Sequence, residues 1–324
     1  MASCGYFSVL LHAFVFATLT TSAFSQLSPY FYDKTCPNAL RTIRSVVEAA
    51  VKKEPRMGAS LLRLHFHDCF VNGCDGSILL DPTPTIDSEK NSDANFQSAR
   101  GFEVVDDIKN EVDYVCGTGI VSCADILTVA ARDSVVALGG PTWEVELGRR
   151  DSTTANKTEA NIQIPRPSSS LSQLIIHFNN HGLDINDLVV LSGGHTIGFA
   201  RCVSYRNRIY NDTNIDPFYA RQLQQICPEN GENFNLAPLD PMGPNHFGSG
   251  YFSDLIQKKG LLHSDQELFN GGYTDELVLK YSHDTQAFNK NFAISMIKMG
   301  NIQPPPGDQG EIRFDCRRVN DNID

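Results

Sequence analysis

The 324-residue chain has few basic residues: 27 Lys and Arg stand against 38 Asp and Glu, which gives a net charge of −11. Nucleic acid and anionic membrane carry the same sign, so the composition argues against both as main partners. After residue 25 no hydrophobic segment is long enough to cross a bilayer, and no Cys-x-x-Cys pair occurs. The missing pair argues against a zinc site and favours disulfides for the cysteines.

Strand-like alternation is also scarce, and residues 143–147 (WEVEL) give its best example. Apolar residues instead recur every three or four positions, which is typical of amphipathic helices. This spacing predicts helices at 37–53, 101–115, 123–138, 170–180, 185–191, 219–227, 251–259, 274–282 and 286–298. The segment 123–138 is apolar nearly all round, which predicts a buried helix. The sequence therefore predicts a mainly α protein with no internal repeat and no visible domain boundary.

The first 25 residues contain no Asp, Glu, Lys or Arg and hold a short apolar run at 9–19. Small residues follow at Ala23 and Ser25, as a signal peptidase requires. The run is too short for a spanning helix, although the basic residue usual near the start of a signal is missing. We expect a signal peptide at 1–25 and a secreted mature chain at 26–324.

The cysteine count agrees with export. Nine cysteines occur and Cys4 leaves with the signal, so the mature chain keeps eight. An even number in an exported chain predicts four disulfides, for which sequence alone allows 105 pairings. Sequons at Asn156 and Asn211 are candidate glycosylation sites.

The segment 60–70 (SLLRLHFHDCF) is the first candidate for chemistry. If it is helical, Arg63 and His67 lie four apart on one face, and a base beside a fixed cation suits a reaction that develops negative charge. If it is a strand, His65 and His67 share a face and could hold one metal. A purely structural role for Arg63 and His67 is the simpler alternative.

The loop that follows, 68–77, concentrates oxygen donors on a tight turn. Two carboxylates, a hydroxyl and accessible carbonyls suit a hard cation such as calcium. The alternative is a solvated turn. A bridge between Cys69 and Cys74 would make the loop rigid and favours the cation site.

A second histidine motif lies at 187–198 (DLVVLSGGHTIG). Helical spacing places Leu188, Leu191 and His195 on one face, and Gly193 and Gly194 remove bulk before the ring, so a flat ligand could approach. An imidazole there is either a buried core residue or an axial haem ligand.

Five motifs in order, RLHFHDCFVNGCDGS, GGPTWEVELGRRD, LSGGHTIG, LHSDQELF and GEIRFDCRRVN, together resemble the secreted plant haem peroxidases, class III. The resemblance covers the whole mature chain. It implies a helical fold with haem b between a distal and a proximal half, in a monomer found outside the cell in the apoplast or wall. It also implies reduction of hydrogen peroxide to water while phenolic donors lose single electrons, with roles in cell-wall cross-linking, lignin or suberin formation, or defence.

Residue roles follow from the same resemblance. His195 is similar to the family's histidine ligand of the haem iron. Asp265 is similar to the carboxylate that accepts a hydrogen bond from the other ring nitrogen of this histidine. The distal residues are His67 as acid and base, Arg63 as its cationic partner, Phe66 over the haem face, and Asn95 orienting His67. The family usually has Pro where this chain has Ala94, which we expect to loosen the Asn95 turn. Pro165 borders the donor opening, and Arg166 beside it would favour carboxylated phenols.

The resemblance also implies cation ligands and disulfides. The distal calcium ligands are Asp68, Val71, Gly73, Asp75 and Ser77, with Glu89 acting through water. The disulfide pairs are Cys36–Cys116, Cys69–Cys74, Cys123–Cys316 and Cys202–Cys227. The third closes the longest loop and in the chain-entropy account stabilises most, by on the order of 5 kcal/mol.

A proximal calcium site is implied only in part. Thr196 and Asp240 match the family pattern, but Gly243 and Gly248 stand where it has Thr and Asp. Calcium prefers six to eight oxygens, so the sequence predicts a weak or absent proximal ion. The competing function is a secreted, non-catalytic calcium protein that keeps the scaffold and has lost haem chemistry.

Overall fold

A computed structural model describes residues 27–307 and 309–320, and the signal peptide prediction, with Cys4, lies outside them. Within the described residues the chain forms thirteen α-helices and two short strands, so the prediction of a mainly α protein is confirmed. The helices are α1 Ala39–Lys53, α2 Arg56–Asn72, α3 Phe102–Cys116, α4 Cys123–Ala137, α5 Lys157–Gln163, α6 Leu171–Asn180, α7 Ile185–Ser192, α8 Cys202–Asn211, α9 Pro217–Ile226, α10 Gly250–Ile256, α11 His263–Gln266, α12 Asp275–His283 and α13 Thr285–Gly300.

The helix α4 is the centre of the larger hydrophobic core, and α1, α2 and α3 all pack on it. Its first turn is capped by Ser122, whose Oγ accepts a hydrogen bond from the Asp125 N–H at 3.2 Å. The apolar surface predicted all round this helix is buried on nearly every face. Helix α2 approaches closely at Gly58, where a Cβ would lie 2.6 Å from the Leu138 side chain. This packing fixes the position of α2, which carries Arg63 and His67.

The strand expected at 143–147 is wrong. The segment forms only an isolated bridge from Leu147 to Ser28. Trp143, Val145 and Leu147 are nevertheless buried, with Glu144 exposed between them. Alternation correctly indicated which side chains face the core, but a ladder also needs a neighbouring strand.

The two strands were not predicted. Strand β1, Phe199–Arg201, pairs antiparallel with β2, Leu236–Pro238. They border a smaller hydrophobic cluster that α8 and α9 supply. Helices α5 and α8 also lacked a clear periodic signal in the sequence. Each of these elements has only three to ten residues, which leaves few turns over which a period can be recognised.

The eight cysteines of the described chain form four disulfides, in the same pairs that the resemblance implies. None of them is left to bind zinc. Cys123–Cys316 joins the start of α4 to the end of the described chain across 193 residues. None of the described helices has the length and apolar character of a membrane span.

Candidate active site

A cavity of about 500 Å³ separates α2 from the turn that follows α7. Arg63, Phe66 and His67 line one wall, and Gly194 and His195 line the other. Much of the remaining lining is apolar, from Leu62, Ile164, Leu174, Phe178, Leu191, Ile197, Phe292, Met296 and Met299. The size is that of a small-molecule or cofactor site, and the apolar lining suits a flat hydrophobic group with polar residues at its two faces.

On the α2 side, helical spacing places Arg63 and His67 on one face, as the sequence predicts. Arg63 Nε donates a hydrogen bond to His67 Nε2 at 3.2 Å. Nε2 is therefore the acceptor of the ring, and Nδ1 carries the proton that it donates to Asn95 Oδ1 at 2.6 Å. Burial, with the nearby charge of Arg63, holds the pKa of His67 well below its ordinary value. His67 is consequently neutral at physiological pH and can accept a proton at Nε2.

The turn that carries Asn95 is itself well supported. Asn95 N–H donates to Ser92 O at 3.0 Å, and its side-chain amide donates to Glu89 O at 3.0 Å. The Arg63 guanidinium donates to Ala94 O at 2.7 Å and to Ser98 O at 3.1 Å. The Ala94 carbonyl thus accepts one of the hydrogen bonds that hold the Arg63 guanidinium in place. Sequence reasoning named Asn95 but missed Ser98, which gives no motif signal.

His65 and His67 point to different sides of α2, because residues two apart on a helix do not share a face. His65 is buried with its Nδ1 3.5 Å from Cys69 Sγ, and burial lowers its pKa to about 3. A metal held jointly by these two rings is therefore excluded. Phe66 lines the cavity and meets the Phe70 ring edge-on at 4.5 Å between centroids.

On the opposite wall, His195 lies in a 3₁₀ turn, Gly193–Thr196, rather than in α7 itself. Its Nδ1 donates to Asp265 Oδ1 at 2.7 Å, while its Nε2 has no hydrogen bond to any described residue. Burial lowers the pKa of His195, but the charge and hydrogen bond of Asp265 outweigh burial and the net pKa is raised. A basic imidazole with a free Nε2 on the cavity wall is the arrangement of an axial metal ligand.

Asp265 is oriented by more than His195. Tyr251 Oη donates to Asp265 Oδ1 at 3.0 Å, and Leu262 N–H donates to Oδ2 at 3.2 Å. Sequence reasoning placed Tyr251 at the start of a predicted helix but did not identify it as a site residue, because its contact with Asp265 depends on the fold. These bonds hold the buried carboxylate in place against the His195 ring.

The two glycines before His195 have different roles. A Cβ on Gly193 would lie 2.5 Å from the Phe288 ring, so this glycine permits close packing with α13. Gly194 lines the cavity, and a Cβ there would meet Leu62 at 3.5 Å. The expectation that both glycines clear space for a flat ligand is therefore wrong for Gly193, which does not line the cavity, and stays a prediction for Gly194.

The last turns of α2, where the sequence predicts the start of a loop, and the segment after this helix together bury acidic oxygens that lack partners. Asp68, Ser77 and Glu89 are fully buried, and Asp68 Oδ1, Ser77 Oγ and Glu89 Oε2 have no hydrogen-bond partner among the described residues. Burial, with the nearby Asp75 carboxylate, raises the pKa of Asp68 well above its ordinary value. Burial likewise raises the pKa of Glu89 to about 8. Buried carboxylate and hydroxyl oxygens without hydrogen-bond partners are the kind of ligand that a hard cation such as calcium prefers.

Two of the expected calcium ligands, Val71 and Gly73, have no side-chain oxygen, so only their backbone carbonyls could bind an ion. Val71 is in the last turn of α2, where carbonyls lack intrahelical partners. Gly73 has φ +85°, and a Cβ there would lie 2.5 Å from the backbone of Gln303. Glu89 also links this loop to the cavity, because its carbonyl accepts the Asn95 amide that orients His67.

The loop near His195 contrasts with this one. Asp240 Oδ1 accepts hydrogen bonds from Met242 N–H at 2.9 Å and Gly243 N–H at 3.1 Å, and Oδ2 accepts from Thr196 Oγ1 at 3.4 Å. At Gly248 a Cβ would meet nothing within 4 Å. The side-chain oxygens expected from the family pattern are missing, and those of Asp240 are already bonded. Asp254, near Asp240, is also buried, and its Oδ2 has no hydrogen-bond partner among the described residues. Burial, followed by the charge of Asp240, raises the pKa of Asp254 to about 7. This loop therefore offers a second calcium ion fewer unbonded oxygens than the first site does.

Pro165 lines the cavity beside Arg166, as expected for the donor opening. Arg166 itself forms an exposed ion pair with Asp93 at 3.4 Å.

Comparisons with known proteins agree with this geometry. The peroxidase family profile matches residues 43–284. The chain is 56% identical to peroxidase 2 of Oryza sativa subsp. indica over 323 residues, covering 99% of the chain and 100% of the relative. The chain belongs to the class III family of plant peroxidases.

Two further relatives place this peroxidase in the same family. It is 56% identical to peroxidase RIP1 of Medicago truncatula, with 98% of the chain and 100% of the relative covered. It is 58% identical to the lignin-forming anionic peroxidase of Nicotiana sylvestris, with 91% and 92% covered. Membership makes the protein a peroxidase, and the family implies haem, hydrogen peroxide and a reducing donor.

Proposed function

We propose that the protein is a haem b peroxidase that reduces hydrogen peroxide to water and oxidises phenols by single electrons. The observation that supports this most directly is the pair of histidines across the cavity, one neutral and aligned with Arg63, the other made basic by Asp265. Bound haem would supply the iron at which peroxide is reduced and the electrons for that step.

Each residue on the two sides of the cavity would then have a separate role in the reaction. His195 would hold the iron through Nε2, and Asp265 would keep that imidazole basic. His67 would accept the first proton of peroxide at Nε2 and return it to the oxygen that leaves as water. Arg63 would stabilise the negative charge that develops on this oxygen, and Asn95 would keep the His67 tautomer fixed.

Haem b, which is held without covalent attachment, agrees with the cysteine chemistry. All eight cysteines of the described chain are in disulfides, which leaves none of them to bond a haem vinyl group. The cavity wall instead offers apolar contact and one imidazole. A haem Soret band in the purified protein, together with peroxide-dependent oxidation of guaiacol, tests the proposal. A folded protein that binds calcium without a Soret band would instead support the non-catalytic alternative.

We also propose one firmly held calcium ion, in the loop after α2. Its ligands would be Asp68, Val71, Gly73, Asp75 and Ser77, with Glu89 through water. Calcium would offset the charge of carboxylates that are buried with oxygens lacking hydrogen-bond partners. The second, proximal ion would be weak or absent.

We propose that the protein acts in the plant cell wall. The relative named a lignin-forming anionic peroxidase favours a cell-wall role in polymerising phenols, and this chain is anionic as well. We propose a signal peptide at 1–25, secretion of the monomer 26–324, and Asn156 and Asn211 as glycosylation sites. Mass spectrometry of secreted protein should find an N-terminus near Gln26 and no free thiol, and one free thiol per chain would contradict the cysteine count.

A further inference from the structure

His181 lies at the C-terminal ends of two helices at once. It follows the last residue of α6, and its ring reaches the last turn of α2. Its Nδ1 is 2.7 Å from His177 O, and its Nε2 is 2.9 Å from Phe70 O. Both carbonyls are among the last four of their helices, which have no partner inside the helix. One half-buried side chain therefore supplies a hydrogen-bond donor to both helix ends.

The nature of these two acceptors sets the protonation state of the ring. A carbonyl oxygen only accepts, so each ring nitrogen must carry a proton to make its bond. A neutral imidazole carries one proton and would turn a lone pair towards the other carbonyl. The two contacts together therefore require His181 to be an imidazolium, with one N–H for each helix.

The surroundings of His181 favour a positive charge. The C-terminal end of a helix carries partial negative charge, and His181 lies at two such ends. Its ring also stacks on Phe70, with the centroids 4.3 Å apart and the planes at 23°. Among the described residues, carboxylates form ion pairs with the rings of His195 and His263 but not with that of His181. The charge is thus stabilised by helix ends and an aromatic ring rather than by an acidic side chain.

The other titratable groups of the neighbouring elements have separate roles. His177, one turn earlier on α6, has a pKa that is lowered by burial and then by the charge of His181, and the end of α5 presents to it only a backbone group. On α2, Asp68 Oδ2 accepts a hydrogen bond from a backbone N–H of the following loop at 3.0 Å. Asp184 caps α7 and pairs with Lys298 at 3.7 Å. The link between α2 and α6 therefore depends on the protons of His181 itself.

The contact with Phe70 connects His181 to the cavity. Phe70 is fully buried and meets the rings of Phe66 and Phe178 edge-on, at 4.5 Å and 5.2 Å between centroids. Phe66 and Phe178 line the cavity, and Phe70 does not. His181 therefore supports two aromatic side chains of the cavity wall through a ring that lies behind them.

We propose that His181, as an imidazolium, is a positioning residue that ties α2 to α6 and thereby holds the Phe66 and Phe178 side chains of the wall around the haem. When the ring loses a proton, one of its two bonds is lost and the wall opens more easily. The link is therefore strongest in acid and weakens as the pH rises through the range in which histidines lose their charge. The inference goes beyond the proposed function, because it requires neither peroxide nor a phenol.

The test compares the calcium- and haem-loaded wild type with two variants at about pH 5.5 and about pH 8. His181→Gln keeps a donor but carries no charge, and His181→Arg carries a permanent charge with several donors. Transfer of haem to an excess of apomyoglobin measures how easily the wall opens. At the acidic pH, His181→Gln should lose haem about three- to tenfold faster than the wild type, and at the basic pH at nearly the same rate. His181→Arg should match the wild type in acid and lose haem more slowly than the wild type in base.

Hydrogen exchange followed by mass spectrometry gives a second readout, which does not depend on haem. Peptides from the ends of α2 and α6 should lose protection in His181→Gln at the acidic pH but not at the basic pH, relative to the wild type at the same pH. His283→Gln is the matched control. It removes an exposed histidine from the last turn of α12, where the ring has no hydrogen bond to the described residues, and should change neither readout.

A difference between the wild type and His181→Gln that is the same at both pH values would overturn the inference, because a neutral His181 would then make the link equally well. Equal haem loss and equal protection in the wild type and both His181 variants would overturn it as well, since the link would not hold the wall. Failure of the wild-type protein to bind haem would instead contradict the proposed function, and hydrogen exchange would still test the role of His181.

Discussion

Each wall of the cavity has a histidine near acidic residues, but the two acidic groups leave different numbers of buried oxygens unbonded. At the end of α2 and in the segment after it, Asp68 Oδ1, Ser77 Oγ and Glu89 Oε2 are buried without partners among the described residues. Beside His195, both oxygens of Asp240 are already bonded, to two backbone N–H groups of the same loop and to Thr196. Near Asp240, only Asp254 Oδ2 is a buried carboxylate oxygen without a partner among the described residues. The number of unsatisfied buried oxygens, rather than the number of acidic residues, therefore distinguishes the stronger candidate for a cation site from the weaker one.

The two acidic segments also differ in how they are connected to His67 and His195. On the α2 side, two of the acidic residues are connected to His67. Asp68 follows His67 in the chain, and the Glu89 carbonyl accepts a hydrogen bond from the Asn95 amide, whose Oδ1 accepts from His67 Nδ1. On the other side, His195 depends on Asp265, which Tyr251 and Leu262 orient without an ion. We therefore expect calcium to control the His67 side and hydrogen bonds alone to control the His195 side.

The largest expected effect is on the His67 side. His67→Ala should slow the reaction with hydrogen peroxide by about 10²–10⁴ while haem stays bound, because the residue that moves the proton is gone and His195 is untouched. Stopped-flow spectroscopy measures the rate, and the Soret band reports the haem. His283→Ala, at an exposed position, is the matched control. A His67 variant that reacts at nearly the wild-type rate would show that another group is the base.

The corresponding change on the His195 side should be smaller. Asp265→Asn keeps a hydrogen-bonding group but removes the charge that makes His195 basic, so the reaction with peroxide should slow by about 10–100-fold. The reduction potential of the iron should rise as well, because the oxidised metal loses a strong donor. Tyr251→Phe removes only one bond to Asp265 and should shift the potential in the same direction by less. An unchanged potential in Asp265→Asn would show that the carboxylate does not tune this ligand.

Calcium removal should give an effect that depends on pH. Without the ion, the pKa of Glu89 is about 8 in the fold and near 4.5 in the unfolded chain, and the pKa of Asp68 is raised in the same direction. The folded protein then binds more protons than the unfolded chain between these values, so its free energy of unfolding falls as pH rises. Chelated protein should have a lower Tm at about pH 8 than at about pH 5, and added calcium should remove the difference. A Tm that rises with pH in the chelated protein would contradict the buried carboxylates.

How much of this the sequence could predict depends on the range of the interactions. The positions of Arg63 and His67 follow from helical spacing on α2, and the four disulfide pairs and Asp265 followed from the resemblance to the family. The roles of Tyr251 and Ser98 could not be predicted, because each is defined by the side chains that the fold places beside it. The segment 143–147 shows the same limit, since its burial pattern is local but a strand also needs a partner.

The most direct test of the contrast between the two loops is the calcium content of the haem-loaded protein after equilibration with calcium and desalting. We predict one tightly held calcium per haem. Asp68→Asn should lose it, and Asp240→Asn should retain it, because an amide oxygen can still accept the bonds from Met242 and Gly243. Two tightly held calcium ions per haem, with one of them lost in Asp240→Asn, would contradict the account.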